Sequence, residues 1–329
     1  MDLQQYKLER HERFLTANLS EAQAKFNAEL ASMTFKERQK HFNDMMGWSL
    51  ETPYSRELYN NPKDFRLVRR LRATEMIRMV FGYHCTPRSK KEWVPKLQAR
   101  LRGSNMRDVR LICVDTDKVR RLPQKLEGEW KKRITSFHLG VAILDTRDMR
   151  DVIKNRYKLD NPSDLIRTYQ FAVQDSVPEV EHFCFGDTEA ISVEDLRRRF
   201  VEWQEGRDVI GVAYSVHNDF SVLKHFDIYL NHKFWIDVAQ AQYIPLQIAS
   251  SQSLAVMMNR LRIRYHGKLH IPGNDAHYTM RALLGTAVLD FYREWSHWGN
   301  GLADIPPWYD LATKIARAEV PRKERRVRK

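Results

Sequence analysis

Residues 109–117 read VRLICVDTD, and this stretch decides the fold class. Apolar side chains run almost unbroken from Val109 to Val114, which is typical of a strand buried on both faces of an α/β sheet. Asp115 and Asp117 follow directly, and side chains two residues apart on an extended chain point to the same face. Two carboxylates crowded on one face repel each other unless a cation lies between them. The stretch therefore predicts either a site for Mg²⁺ or Mn²⁺, which prefer oxygen ligands, or a simple Asp-x-Asp turn.

Further strands and helices are predicted after this first strand, within a domain that covers residues 105–295. Apolar runs bounded by turn residues mark strands, and capped amphipathic stretches mark helices. Because strands come first and then alternate with helices, we predict an α/β fold with a mixed sheet of five strands flanked by helices. The other predicted strands cover residues 134–146, 180–186, 209–216 and 233–238, and the predicted helices cover residues 192–206, 218–230, 254–263 and 275–295.

The first 95 residues are predicted to form a charged helical region. The segment 61–84 has an apolar stripe at helical spacing, which favours packing into a core. The arginines between the apolar positions face solvent or, as an alternative, follow a phosphate backbone. The stripe consists of Phe65, Leu67, Leu71, Met76, Ile77, Val80 and Phe81, and the arginines are Arg66, Arg69, Arg70 and Arg72.

Residues 296–329 are predicted to form a C-terminal strap followed by a basic tail. Pro306 and Pro307 beside Trp308 and Tyr309 favour a strap packed on the domain, although aromatic rings can also stack on bases. The last nine residues, PRKERRVRK, carry six basic side chains and one glutamate. They fit a nuclear localisation signal, a phosphate-binding arm or disordered charge.

The composition points to an intracellular protein with an affinity for nucleic acid. The formal net charge is +13 and the pI is near 9.6. Basic side chains neutralise phosphates and release counterions, although a plain solvated surface also carries such charge. The chain has no run of about 18 apolar residues, and its start has no apolar signal core, so we expect neither a membrane span nor a secretory signal. Cys85, Cys113 and Cys184 are far apart, which argues against a disulfide framework or a zinc finger and favours the nucleus or the cytoplasm.

Further acidic residues stand at predicted element boundaries. Asp219 lies between the strand 209–216 and the next helix, and Asp275 begins the last helix, five residues after His270. Each has a simpler explanation, since acidic residues near a helix N-terminus interact favourably with the helix dipole or cap the helix. Asp237, at the end of the last predicted strand, either supports the site or only ends that strand. The simpler explanations do not account for one fact: these acidic residues all stand at element boundaries, in an order along the chain that could bring them together.

These residues resemble the motifs of a known nuclease group. Asp115-Thr-Asp117, then Asp219, then His270 with Asp275 resemble the three motifs of the DEDDh 3′–5′ exonucleases, which are similar to the proofreading subunit of bacterial DNA polymerase. The stretches LHIPGNDAHYTMRALL and ITSFHLGVAILDT resemble more closely a fungal ribonuclease H-like family. That family is named after a suppressor linked to messenger-RNA export and a DEAD-box helicase.

The resemblance covers about residues 107–295 and implies a ribonuclease H-like domain that cuts phosphodiester bonds with two Mg²⁺ or Mn²⁺ ions. It assigns four carboxylates to the metal ions and makes His270 the general base that takes a proton from the attacking water. Gly273 would let the loop bend so that His270 lies over the metal ions. The four implied metal ligands are Asp115, Asp117, Asp219 and Asp275.

Asp117 departs from the family pattern, which has Glu at this position. Asp is shorter by one methylene, so its carboxylate reaches less far toward a metal ion or a water. Two functions therefore remain open. The first is a metal-dependent 3′–5′ exonuclease that acts on RNA or single-stranded DNA. The second is a weakened nuclease fold that binds nucleic acid, or a protein partner in RNA metabolism, for example through the helical N-terminal region.

Overall fold

Six strands form one mixed sheet in the computed structural model, which describes residues 65–83, 97, 99–126, 129–178, 182–215, 217–246, 248, 252–297 and 305–321. The order across the sheet is β4-β3-β2-β1-β5-β6. The pairs β1–β2 and β2–β3 are antiparallel, whereas β3–β4, β1–β5 and β5–β6 are parallel. The strands are β1 Val109–Leu126, β2 Glu129–Asp145, β3 Ile166–Val173, β4 Thr188–Ile191, β5 Asp208–Ala213 and β6 His232–Asp237.

Helices cover both faces of this sheet. None of the helices in the described ranges combines the length and the apolar character that crossing a membrane requires. A short 3₁₀ helix, Pro162–Leu165, precedes β3. The α-helices are α1 Phe65–Phe81, α2 Thr146–Asn155, α3 Val193–Gln204, α4 His217–His225, α5 Val238–Ala241, α6 Tyr243–Leu246, α7 Leu254–Arg260, α8 Pro272–His297 and α9 Pro307–Arg317.

Strand β1 shows why the sheet needs a helical layer on each face. Ile112 and Val114 pack on one side with residues of α3 and α4. Leu111 and Cys113 point to the other side and join the core formed by α1, α8 and α9. Because side chains alternate along a strand, burial of both faces requires an unbroken apolar run. The predicted α/β fold with a mixed sheet and flanking helices is therefore confirmed.

The sheet has six strands rather than the five predicted. The prediction of a strand over residues 180–186 is wrong for the described residues 182–186, which lie against the start of α8. There Phe183 is buried, and the backbone N–H of Cys184 donates to Asn274 Oδ1 at 2.9 Å. The unpredicted strands are β3, in which polar side chains interrupt the apolar run, and β4, a short edge strand.

The C-terminal strap packs on the domain through α9. Trp308 and Tyr309 are buried, so their rings belong to the core and not to a base-stacking surface. Arg281 of α8 donates from Nε and Nη2 to the carbonyl oxygen of Ala316 at 3.0 and 2.8 Å. The basic tail at residues 322–329 lies outside the described residues.

Helix α1 belongs to the same core as the sheet. Four residues of its predicted apolar stripe are buried, which confirms core packing for them, and Arg78 Nε pairs with Asp290 Oδ2 of α8 at 2.8 Å. Residues 1–64 lie outside the described residues, so the helical region there and the division of the chain into regions stay predictions. The four buried residues are Met76, Ile77, Val80 and Phe81.

Candidate active site

Asp115 and Asp117 lie near the middle of β1, on the face of the sheet that carries α8, as the alternation from Leu111 and Cys113 requires. Both side chains are half-buried. Burial raises the pKa of Asp115 well above its usual range, and the charges of three other carboxylates raise it further. The four predicted metal ligands therefore lie close enough for the charges of the other three to act on Asp115. The three other carboxylates are those of Asp219, Asp275 and Asp117.

Asp219 lies in the first turn of α4 with its side chain buried. Its Oδ1 accepts hydrogen bonds from the backbone N–H of Thr116 at 2.8 Å and from the Thr116 hydroxyl at 2.7 Å. Pairing of β1 with β5 ends at Cys113 and Val212. Beyond that point the Asp219 carboxylate accepts the backbone hydrogen bond of Thr116 that a β5 residue would otherwise accept. Burial raises the pKa of Asp219, and the hydrogen bonds from Thr116 offset this only in part.

The loop that leads to Asp219 is held by Asp237, the last residue of β6. Asp237 Oδ1 accepts from the backbone N–H of Ser215 at 3.1 Å and of Ala239 at 3.0 Å. Ser215 has a φ of +67°, a left-handed conformation that is uncommon for residues other than glycine. Asp237 therefore caps α5 after the strand ends and also holds the loop before α4. Its support of a functional site stays a prediction.

Asp275 lies in the first turn of α8, and its Oδ2 accepts the backbone N–H of His270 at 2.8 Å. Its Oδ1 is buried and has no hydrogen-bond partner among the described residues. Burial raises the pKa of Asp275 to about 6, although the N–H and the charge of His270 act in the opposite direction. His270 itself is exposed and has a φ of +67°. The predicted histidine and carboxylate are thus joined through the backbone, and the imidazole remains at the surface.

Two glycines let the start of α8 approach the sheet. Gly140 is directly opposite Asp115 on β2, and a Cβ at Gly140 would lie 1.9 Å from the carbonyl oxygen of Pro272. A Cβ at Gly273 would lie 2.6 Å from the Phe183 ring. Gly273 was expected to let the loop bend, but it does not adopt a positive φ; its part is close packing, and His270 adopts the left-handed conformation instead.

His138 and Asp175 adjoin the site and were not predicted from the sequence. His138 is buried and directly opposite Asp117 in the β1–β2 register, and its Nε2 lies 3.5 Å from Asp175 Oδ2. Burial, and then the charge of Lys118, lower the pKa of His138, while Asp175 and Asp117 act against this. Burial therefore favours the neutral form of the imidazole. A polar histidine inside the apolar stretch SFHLGV is the signal that could have revealed it.

The raised pKa of Asp275 predicts a pH-dependent stability in the absence of metal. Its folded-state pKa of about 6 lies above its ordinary value of 3.8, so the protonated form stabilises the fold. This stabilisation is complete below about pH 4 and is lost as the pH rises through about 6. For a shift of about two pKa units it amounts to about 2–3 kcal/mol. Asp275→Asn should remove this part of the pH dependence.

Urea unfolding of both proteins between pH 4 and pH 8, in a chelating buffer, measures this effect. The unfolding free energy of the wild type should fall relative to that of Asp275→Asn over this range. Parallel curves for the two proteins would show that Asp275 is not perturbed.

The chemistry of the donor atoms fits a divalent metal ion, although the carboxylates would have to turn toward it. The donors are carboxylate oxygens, as Mg²⁺ and Mn²⁺ prefer, and the unpartnered Oδ1 of Asp275 could serve as a ligand. A cation would also relieve the repulsion that raises the pKa of Asp115. Within the described part of the chain, however, no three His, Cys, Asp or Glu side chains are gathered closely enough to hold a metal ion as they stand.

A comparison with protein families agrees with this arrangement. Residues 111–286 match the DEDDh family model described as the C-terminal domain of DNA polymerase III subunit epsilon-like proteins. The matched range runs from β1 to the middle of α8 and includes all four carboxylates and His270. It agrees with the ribonuclease H-like fold that the sequence resemblance implies. No curated protein matches the chain.

Proposed function

The chain belongs to the DEDDh family of DNA polymerase III subunit epsilon-like C-terminal domains, and we propose from this membership that it is a metal-dependent 3′–5′ exonuclease acting on RNA or single-stranded DNA. Membership of this family indicates a nuclease domain without specifying its substrate or direction. The more specific proposal is carried by the carboxylates of Asp115, Asp219 and Asp275, which come from three separate elements and lie close enough for the latter two to raise the pKa of Asp115.

The four carboxylates would hold two ions, Mg²⁺ or Mn²⁺, which when bound supply an activated water and stabilise the leaving 3′ oxygen. The protein fixes two of these carboxylates by their backbone partners. Thr116 holds Asp219 through Oδ1, and the N–H of His270 holds Asp275 through Oδ2, which leaves Asp275 Oδ1 available. The metal ligands would be Asp115, Asp117, Asp219 and Asp275.

His270 is proposed as the general base. Its exposed imidazole stands at the start of α8, next to the carboxylates, where a ring nitrogen could accept a proton from a bound water. The water oxygen forms a bond to phosphorus, and His270 takes a proton from the water. The bond from phosphorus to the 3′ oxygen of the preceding nucleotide breaks, and this oxygen takes a proton from solvent. The products are a nucleoside 5′-monophosphate and a strand that is shorter by one nucleotide.

The experiment that tests this proposal uses single strands of RNA and DNA that carry a label at one end. With Mn²⁺ or Mg²⁺, a 5′ label should appear in a ladder of shortened products, and a 3′ label should appear at once as a mononucleotide. A chelator should stop both reactions. Release of an internal fragment or of a 5′ mononucleotide, or intact strands in every metal buffer, would contradict the proposal.

A second function is kept because Asp117 replaces the expected Glu and no preformed metal group is described. In this alternative the domain binds nucleic acid, or a protein partner in RNA metabolism, without cutting. Asp117→Glu separates the two, because the longer side chain reaches farther toward a metal ion and its water. If the protein is an exonuclease, this change should raise the single-turnover rate constant of shortening by about ten-fold, a difference of about 1.4 kcal/mol in the barrier.

The measurement for Asp117→Glu is single-turnover shortening of a labelled strand over a range of Mn²⁺ concentrations. The matched control is Asp310→Glu, which makes the same change on the exposed surface of α9. Strand binding without cutting by both the wild type and Asp117→Glu would favour the binding-only function.

We also propose that the chain belongs to the fungal ribonuclease H-like family linked to messenger-RNA export, because the sequences of residues 134–146 and 269–284 resemble that family. This placement favours RNA over DNA as the substrate. A preference for DNA in the labelled-strand experiment would count against it. A protein partner for the helical N-terminal region, and a nuclear or cytoplasmic location, stay predictions.

A further inference from the structure

The hairpin of β1 and β2 extends well past the rest of the sheet. Strand β5 pairs with β1 only up to Cys113, and β3 pairs with β2 only from Phe137 onward. The described residues 118–126 and 129–136 therefore form a two-stranded projection, and we call the segment 118–136 the arm. The residues from Val119 to Leu126 correspond to a length of about 25 Å. The arm leaves the sheet directly after Asp117, so the candidate active site lies at its base.

The arm is strongly basic. In its sequence, seven Lys and Arg residues stand against two glutamates. Among its described side chains, all four cationic ones are exposed, which gives the projection a positive surface next to the negative carboxylates. An exposed edge of this kind, rich in Lys and Arg, attracts phosphate groups. The four exposed cationic residues are Lys118, Arg120, Arg121 and Arg133.

A groove of about 490 Å³ lies where the arm meets α3 and α4, and Arg133 and Arg197 are among its lining residues. Phe226, which also lines it, directly follows α4. Asp219 is seven residues earlier, which is a distance of about 10 Å along a helix.

The groove lies on the face of the sheet that carries α3 and α4, whereas Asp115 and Asp117 lie on the face that carries α8. A strand whose end lies at the carboxylates would therefore reach the groove by passing around the edge of β1, which β5 no longer covers beyond Cys113.

The arm is also tied to the candidate active site by an ion pair. Arg120 Nη1 lies 3.4 Å from Asp175 Oδ1, and the other oxygen of Asp175 lies 3.5 Å from His138 Nε2. Since His138 is directly opposite Asp117, this chain of contacts connects the base of the arm with the carboxylates.

We infer that the arm and the groove at its base bind the phosphate backbone of a single nucleic-acid strand behind the end that lies at the carboxylates. The inference rests on the proposed function, because it takes the strand to be the substrate. Exposed cations supply the attraction, and the groove provides room for nucleotides that are not paired. The arm would thus set how many nucleotides the domain requires in a substrate.

Binding of a labelled 30-nucleotide single strand, followed by fluorescence anisotropy in a chelating buffer, tests this inference without any cutting. The variant R121Q/R133Q removes two exposed charges from the arm. The control K154Q/K158Q removes two exposed charges near α2, at the opposite end of the sheet. The arm variant should bind about ten-fold more weakly at 0.1 M salt, and its slope of log K against log salt should be smaller by about 1.4. The control should stay within about two-fold of the wild type.

The failure of this inference is distinguishable from the failure of the proposed function. If the arm variant binds as tightly as the wild type, or if both variants lose the same affinity, the inference is wrong whether or not the protein cuts strands. It is also wrong if the wild type binds no strand. If only the arm variant is weakened and the wild type never shortens a strand with metal, the inference stands and the exonuclease proposal fails. Circular dichroism of both variants checks that they are folded.

Discussion

Asp219→Asn should lower exonuclease activity by at least about a thousand-fold while the fold stays intact. The structural reason is that an asparagine oxygen can still accept the two hydrogen bonds from Thr116, so the junction of β1 and α4 is kept. The lost feature is the negative charge that a metal ion requires. Because burial raises the pKa of Asp219, its charged form disfavours the fold, and the variant should melt at the wild-type temperature or above.

Single-turnover shortening of a labelled strand and thermal unfolding measure the two halves of this expectation. Asp310→Asn is the matched control, since Asp310 forms an exposed ion pair with Lys314 on α9, far along the chain from the site. Activity of Asp219→Asn within ten-fold of the wild type would remove Asp219 from the metal site. A large loss of melting temperature would instead assign Asp219 a structural part.

Gly140→Ala is expected to damage both stability and activity through a single added methyl group. Its Cβ would lie 1.9 Å from the carbonyl oxygen of Pro272, and a backbone atom cannot move aside as the end of a flexible side chain can. The start of α8 must therefore shift away from the sheet, at a cost of about 3 kcal/mol. Since Asp275 and His270 move with it, displacement by about 1 Å should lower activity by about a hundred-fold.

The measurements are urea unfolding and strand shortening at a temperature where the variant is folded. Gly285→Ala provides the control, because it makes the same change on α8, where the nearest atoms are side-chain carbons at 3.3 Å. It should stay within about 1 kcal/mol of the wild type, since alanine also favours a helix. Wild-type activity in Gly140→Ala would mean that the contact between β2 and α8 does not position the site.

The sequence predicted the parts of the fold whose side chains follow a simple rule. The apolar run from Val109 to Val114 indicated a doubly buried strand, and the capped stretch 192–206 indicated the helix that becomes α3 with Ser192 as its cap. Strand β3 was missed because Arg167, Thr168 and Gln170 interrupt its apolar pattern. Residues 182–186, where the predicted strand is absent, are apolar for another reason: Phe183 fills a space against Gly273 at the start of α8.

The four carboxylates and His270 were predicted from the sequence, whereas their contacts and the neighbouring His138 and Asp175 were not. Alternation along β1 placed Asp115 and Asp117 on one face, and element boundaries singled out Asp219 and Asp275. The bond between Thr116 and Asp219 depends on where β1 stops pairing with β5, about a hundred residues away in the chain, and no local pattern shows this. The roles of these residues as metal ligands and of His270 as a base stay predictions.

The irregular register between Asp117 and Arg121 has a consequence for how the chain tolerates insertions and deletions. A residue inserted between Val109 and Asp115 would turn every later side chain of the strand to the opposite face, which would carry the carboxylates away from α8. Beyond Asp117, the bulge already accommodates unpaired residues, so added residues there would leave the preceding face undisturbed. Homologous chains can therefore differ in the length of the arm, whereas the stretch from Val109 to Asp117 must keep its length.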